Sequence, residues 1–299
     1  MRIILVTSSL NLLVAKFLNE FEVVGVVRSR PRHKLVTFQN FESILKQIIS
    51  RLFFRETLRT FCKKNLIPFF ELKTNNLKFY NWVRNLNPDV IFVYSMSQLI
   101  REQVLTIPSR GVLNLHPSLL PDWRGPNPVQ WQYLTNAHVS GYTLHYLDEM
   151  EDSGPIVYQN KFMIPRGLPV SNFESEYAIR YGFPLIRRAI CELEQNRELN
   201  QAPQPKKSKT IRARRLRLME IYQLINWSEW DIERIWHCVS GMPEVVNLIS
   251  CESHRHIFKQ WKVYNYSIKE TSRIIPLPKI ITDNKKHYIE VTKGYIEIQ

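Results

Sequence analysis

No apolar run in this 299-residue chain reaches the roughly 18–20 residues that a membrane span needs. Arg2 and the stretch Leu10–Val14 mimic a signal peptide, but Thr7, Ser8, Ser9 and Asn11 break the apolar pieces. A buried strand followed by a helix is expected there, and with it a cytoplasmic location. Cysteine is scarce: Cys62, Cys191, Cys238 and Cys251 lie far apart. They form no Cys-x-x-Cys and no zinc spacing, so reduced, mostly buried thiols are expected. The eight histidines contain no His-Glu-x-x-His pattern. His254-Arg255-His256 reads as one face of a strand, and no metal site is expected. The first strand is not followed by Gly-x-Gly-x-x-Gly, which argues against a dinucleotide site of the usual type. The Gly-x-Ser-x-Gly elbow of serine hydrolases is missing as well.

Positive charge, in contrast, is plentiful. Lys and Arg number 41 against 27 Asp and Glu, a formal net charge of +14. Such a surface suits an anionic partner: nucleic acid, a nucleotide-linked substrate or an acidic cofactor. It also suits a plainly solvated surface, and charge alone does not choose. Apolar residues make up 44% of the chain, enough for a substantial core.

Met1–Thr7, Glu22–Arg28, Leu66–Glu71 and Val90–Tyr94 are apolar runs of strand length. Helical patterns separate them: one opens near Ser8 and Ser9 with a serine as N-cap, another covers Asn75–Asn85. Between the second and third strands, Arg28–Lys34 is basic. It runs into an amphipathic helical stretch with Phe41, Ile44, Leu45, Ile48, Ile49, Leu52, Phe53, Leu58 and Phe61 on its apolar face. That stretch fits helices packed on the sheet, or an acceptor-binding or membrane-surface element. Gly141–Leu147 and Ile156–Ile164 are further strands, and Asn172–Gln195 is a long helix. Gln195–Lys209 is polar, with Pro203, Pro205, Lys206 and Lys207, and reads as a linker that continues into Arg212, Arg214, Arg215 and Arg217. This basic run is the best candidate for a nucleic-acid or phosphate contact, beside the reading as a solvated linker. Short alternating segments dominate after Val245. The pattern predicts an α/β fold: a Rossmann-like, mostly parallel sheet with helices on both faces over 1–197, a basic linker over 198–218, and a C-terminal β-rich domain over 219–299.

Within this frame one stretch carries chemistry. Asn114 and His116 alternate with Val112, Leu113 and Leu115, so both side chains share one face at the end of a buried strand. Pro117 ends the ladder there. An amide donor beside a titratable imidazole at a carboxyl strand edge can stabilise an oxyanion and move a proton. Asp152, in Asp-Ser-Gly after the Gly141–Leu147 strand, can return a carboxylate to the same edge; taken alone it also fits an ordinary turn. Arg124, in the Pro-rich loop after Pro121, suits either a bound phosphate or carboxylate or the bracing of nearby carbonyls.

Asn114-Leu115-His116, Ser118-Leu119-Leu120-Pro121 and the distant Asp152-Ser153-Gly154 together resemble the fingerprint of the folate-dependent formyltransferase family. Trp123-Arg124-Gly125 and Pro128-Val129-Gln130 resemble the branch that contains methionyl-tRNA and sugar N-formyltransferases. Ile225-Asn226-Trp227-Ser228 is similar to the opening of the C-terminal domain in that branch, where an OB-type β-barrel is implied. The resemblance implies transfer of a formyl group from the cosubstrate 10-formyltetrahydrofolate to a primary amine, with no metal. It implies Asn114, His116 and Asp152 as the catalytic group. It places folate against Tyr94, Ser95, Met96, Ser97, Gln98 and Leu99 and against the acidic loop Leu147, Asp148, Glu149 and Met150. Candidate substrate-binding residues are Ser118, Trp123, Arg124 and Gly125, although Ser118 also suits capping the Pro-rich loop. The basic, Gly-rich insertion of methionyl-tRNA enzymes is not recognisable after the second strand. A small acceptor is therefore expected, such as an amino-sugar nucleotide or a biosynthetic intermediate, with charged initiator tRNA as the alternative. Hydrolysis of formyltetrahydrofolate is a further alternative. A non-enzymatic RNA-binding module would leave Asn114, His116 and Asp152 without a joint role.

Overall fold

The computed structural model of the chain describes residues 1–30, 57–74, 76–96, 98–251, 261–269, 274–284 and 286–299. The helical stretch expected over Phe41–Phe53, the basic residues after Arg30, Ser97 and His254–His256 lie outside them.

All five residues of β1 (Ile3–Thr7) and of β4 (Val90–Tyr94) are buried. Continuous apolar strands of this kind need cover on both faces. Ile3 and Leu5 pack into one core with Leu13, Val14 and Phe17 of helix α1 (Leu12–Glu20). Ile4 and Val6 pack into a second with β2 (Val23–Ser29) and with Phe79 and Val83, ahead of β4 in the chain. The α1 N-cap is Asn11, whose side chain accepts from the Val14 N–H at 2.9 Å, one turn-entry later than the expected serine.

Helix α2 (Leu58–Lys64), strand β3 (Phe69–Leu72), helix α3 (Leu77–Leu86) and helix α4 (Glu102–Leu105) complete the first half. The sheet continues with β5 (Val112–His116), β6 (Val139–Tyr146) and β7 (Ile156–Met163), and helix α5 (Pro128–Leu134) joins β5 to β6. Strand order is β3-β2-β1-β4-β5-β6-β7. The first five strands are parallel, whereas β6 and β7 are antiparallel to their neighbours. The order reverses between β1 and β4, and a ligand crevice belongs outside the carboxyl ends of strands at such a point.

The long helix expected after β7 is interrupted. It begins as Val170–Asn172, runs as a π-helix over Phe173–Gly182 and continues as α6 (Phe183–Glu194). Apolar spacing does not distinguish the wider turn, and π-helical turns favour functional sites.

The segment read as a linker lies against the first sheet. Ala202 and Ile156 exchange both backbone hydrogen bonds at 2.8 Å. The Ala213 N–H donates to the Arg124 carbonyl at 2.7 Å, and the Asn127 N–H donates to the Ala213 carbonyl at 3.0 Å. Helices α7 (Leu218–Leu224) and α8 (Ile232–Gly241) follow. A second sheet then forms from β8 (Ser250–Cys251), β9 (Val263–Ile268), β10 (Lys279–Asp283), β11 (Lys286–Val291) and β12 (Gly294–Ile298), in the order β8-β10-β11-β12-β9. Its last four strands pair antiparallel; the two-residue β8 pairs parallel to β10. Tyr133 of α5 stacks on His237 of α8 with centroids 4.4 Å apart, so the two halves share one core. Among the described residues no helix is long and apolar enough to cross a membrane.

Candidate active site

Alternation along β5 sends Leu113 and Leu115 into the core and leaves Asn114 and His116 on the opposite face. Strand β6 runs antiparallel beside it, with Asn114 opposite His145 and His116 opposite Thr143. The chain leaving β6 then folds back sharply. Asp148 accepts from the Met150 N–H at 3.0 Å and from the Ser153 hydroxyl at 2.8 Å, which closes the turn. A Cβ on Gly154 would lie 2.0 Å from the Tyr146 carbonyl oxygen, so only glycine permits this close return. The return sets Asp152 against β5.

The Asp152 carboxylate is the centre of the cluster. Its Oδ2 accepts from the Gly125 N–H at 2.9 Å and lies 3.7 Å from His116 Nδ1. Its Oδ1 lies 3.5 Å from Asn114 Nδ2 and 3.8 Å from His145 Nε2. His116 Nε2 meets the Trp123 carbonyl at 3.1 Å. A carbonyl only accepts, so that nitrogen carries a hydrogen. Nδ1 then faces the carboxylate, and a proton there makes the approach a charge-assisted contact. The side chains of His116 and Asp152 are 5% and 14% exposed, so these contacts are little screened.

His145 is a member of the cluster that the sequence reading missed. Its Nδ1–H donates to the Tyr146 carbonyl at 2.8 Å, which leaves Nε2 bare to accept from Asn114 Nδ2 at 3.0 Å. Burial pulls this imidazole down to about 4, so it is a neutral acceptor at pH 7. It thereby fixes which end of the Asn114 amide carries the hydrogens. The signal was one of register: His145 is inward-facing on β6, directly across from Asn114.

Asn114, His116, Gly125 and Asp152 line a cavity of about 1540 Å³; His145 lies behind Asn114 and does not. Pockets for one small molecule span roughly 300–1,000 Å³, so this one has room for two partners side by side. It opens at the topological switch, where the Ser8 and Ser95 hydroxyls meet at 2.9 Å. One wall combines Met96, Leu99, Ile100, Leu147 and Met150; Leu99 and Met150 are 58% and 70% exposed. Arg212, Arg215 and Arg217 from the segment after α6 also line it, with Glu174 and Ser175 of the π-helix. Arg212 is held by Glu151 through two short contacts of 2.6 and 2.9 Å.

Of the sequence candidates, Tyr94, Ser95, Met96, Gln98, Leu99, Leu147, Asp148 and Met150 border the cavity, and Glu149 does not. The Gln98 amide is turned away: its Nε2 donates to the carbonyls of Arg30, Leu72 and Lys73 at 2.7–3.3 Å. Of Ser118, Trp123, Arg124 and Gly125, only Gly125 borders it. Ser118 is buried and donates to the Asp122 carbonyl at 2.6 Å, the loop-capping alternative. Arg124 braces carbonyls, donating to those of Pro205 and Lys206 at 2.8 and 3.2 Å. Trp123 offers its carbonyl to His116, and its N–H donates to the Thr210 hydroxyl oxygen at 2.6 Å. Among the described residues no cluster of His, Cys, Asp and Glu could hold a metal ion.

Residues 21–177 match the formyl transferase family. The methionyl-tRNA formyltransferase of Wolbachia sp. subsp. Drosophila simulans is 36% identical over 118 residues, 40% of this chain and 39% of that protein. The chain thus matches about two fifths of the length of such curated relatives. The methionyl-tRNA formyltransferase of Halothermothrix orenii is 29% identical over 228 residues, covering 75% of this chain and 70% of that one. In fold, the chain is similar to the N-formyltransferase of Helicobacter canadensis in complex with folinic acid and dTDP-3-aminofucose. That likeness has a TM-score of 0.59 at 17% identity and spans 99% of this chain and 97% of the other. The match over residues 21–177 takes in more than half of the sequence, including Asn114, His116 and Asp152, and the chain belongs to the formyl transferase family.

Proposed function

We propose that this protein is an N-formyltransferase that moves the formyl group of 10-formyltetrahydrofolate to a primary amine on a small, anionic acceptor. The observation that carries this reading is the convergence of Asn114, His116 and Asp152, within 3.5–3.7 Å of one another through the carboxylate, beside a cavity with room for two ligands. The apolar wall around Met96, Leu99 and Met150 fits a flat heteroaromatic ring, which would cover two side chains now exposed. Bound there, the folate cosubstrate supplies the formyl carbon. Asn114 Nδ2 and His116 Nε2–H, once turned from His145 and from the Trp123 carbonyl toward the ligand, are then the donors for the charge that develops on the formyl oxygen. Asp152 holds His116 in that role and relays, directly or through water, the proton released by the attacking amine to the folate nitrogen as its bond to the formyl carbon breaks.

The acceptor side is basic. Arg215 and Arg217 line the same cavity, and they suit a phosphate or diphosphate on the acceptor. An amino-sugar nucleotide combines the amine and the diphosphate in one molecule. Charged initiator methionyl-tRNA is the second reading, favoured by the names of the curated relatives and by the net charge. The test is a formyl-transfer assay with 10-formyltetrahydrofolate against amino-sugar nucleotides, charged initiator tRNA and no amine. Transfer to a sugar nucleotide is expected. Transfer to tRNA alone selects the second reading, and formate release without any amine turns the assignment into a hydrolase.

A further inference from the structure

The stretch Gln195–Lys209 reads as a linker, yet one of its side chains sits at the junction of both loops that build the site. Gln204 Nε2 donates to the carbonyls of Asp152 and Gly154 at 3.1 and 2.6 Å. Its Oε1 accepts from Arg124 Nε and Nη2 at 3.1 and 2.7 Å. Both hydrogens and both lone-pair directions of the amide are thus used. One face of Gln204 holds the loop that carries Asp152. The other, through Arg124, holds the loop whose Trp123 carbonyl meets His116 Nε2 and whose Gly125 N–H meets Asp152 Oδ2. Beside the direct bond from the Gly125 N–H to Asp152, Gln204 is thus a second tie between the two loops.

We propose that Gln204 is a positioning residue for formyl transfer: it sets the separation of Asp152 from His116 by tying the Asp152 loop to the Arg124 loop. The inference rests on the formyltransferase reading for its kinetic part and on geometry alone for the rest. A misplacement of about 1 Å in a catalytic group costs on the order of a hundredfold in rate. The 3.7 Å between His116 Nδ1 and Asp152 Oδ2 leaves little slack before the two groups part.

Two substitutions separate the halves of the clasp. Gln204→Glu keeps an acceptor for Arg124 and turns the donor nitrogen into an oxygen facing two carbonyls. Gln204→Leu removes both halves. In each variant kcat is expected to fall about 30- to 100-fold, with KM for folate and acceptor within roughly threefold of the parent and little change in Tm. Amide exchange at Gly125, read by mass spectrometry or NMR on the full chain, is expected to quicken as Asp152 leaves its N–H. Unchanged kcat and unchanged Gly125 protection in Gln204→Glu would overturn the proposal. So would a loss of activity that tracks loss of Tm in both variants, which would mark Gln204 as merely structural. If the parent chain transfers no formyl group, the functional reading fails, and the exchange measurement still decides whether Gln204 holds the two loops.

Discussion

Protonating His145 in the folded chain is costly, because burial holds its imidazole at about 4 against an ordinary 6.5. The unfolded chain takes up that proton as pH drops through 6.5, and the folded chain resists it until about 4. Stability from this group is therefore complete above pH 6.5, falls between 6.5 and 4, and levels off below. The loss is on the order of 3 kcal/mol. His237, also buried and held at about 3, acts in the same direction over a slightly wider window. The Tm of a His145→Gln variant, which keeps an acceptor toward Asn114 but cannot titrate, should decline less steeply from pH 7 to 4 than the parent's. At the same scale, His116→Ala and Asp152→Ala should each lower kcat by at least about 10²–10³-fold while Tm changes little; near-parental turnover in either would end the assignment. Asn114, His116 and Asp152 were legible because alternation and turn chemistry are local. His145 was not, since its role comes from being opposite Asn114 across a strand pair. Gln204 was still less so: its partners lie some 50 and 80 residues away in the sequence.

Among the elements, β4 and β5 were readable because unbroken apolar or alternating runs have few other uses. The start of α1 shifted to Asn11, since Ser8, Ser9 and Asn11 all have the side-chain chemistry of a cap and only the fold selects one. The π-helix over Phe173–Gly182 could not be read from apolar spacing tuned to 3.6 residues. The Pro- and Lys-rich stretch after α6 has the composition of a free linker, but its backbone pairs with Ile156, Arg124 and Asn127. Gly125 sits under this stretch with φ +124, and a Cβ there would lie 2.7 Å from the Ala213 carbonyl oxygen. Gly125→Ala is accordingly expected to cost about 1–3 kcal/mol in denaturant unfolding. Its N–H also holds Asp152, so kcat should fall with it; parental stability would contradict the close packing of the segment on the loop.

For the molecule as a whole, the fold class and the family were visible in the sequence, because the sheet and its edge motifs are contiguous. The packing of the two halves on each other was not. It depends on surface fit: Tyr133 stacked on His237, the Cys238 thiol donating to the Tyr133 carbonyl at 3.3 Å, and Arg234 donating to that of Leu134 at 2.9 Å. The net charge of +14 acts at this scale too. If the acceptor is anionic, its kcat/KM should drop roughly tenfold between about 0.05 and 0.5 M salt, as screening shortens the reach of the field. A flat salt profile would point to a neutral acceptor.

The seven strands of the first sheet are complete at Met163, whereas the backbone amides of Ile156, Trp123 and Asn127 find their partners only when Ala202, Thr210 and Ala213 arrive. Proteins emerge from the ribosome amino end first and begin to fold as they do so. A nascent chain that has released only its first sheet therefore exposes unpaired amides at Trp123, Asn127 and Ile156. The cluster around Asp152 gains its bracing segment late in translation.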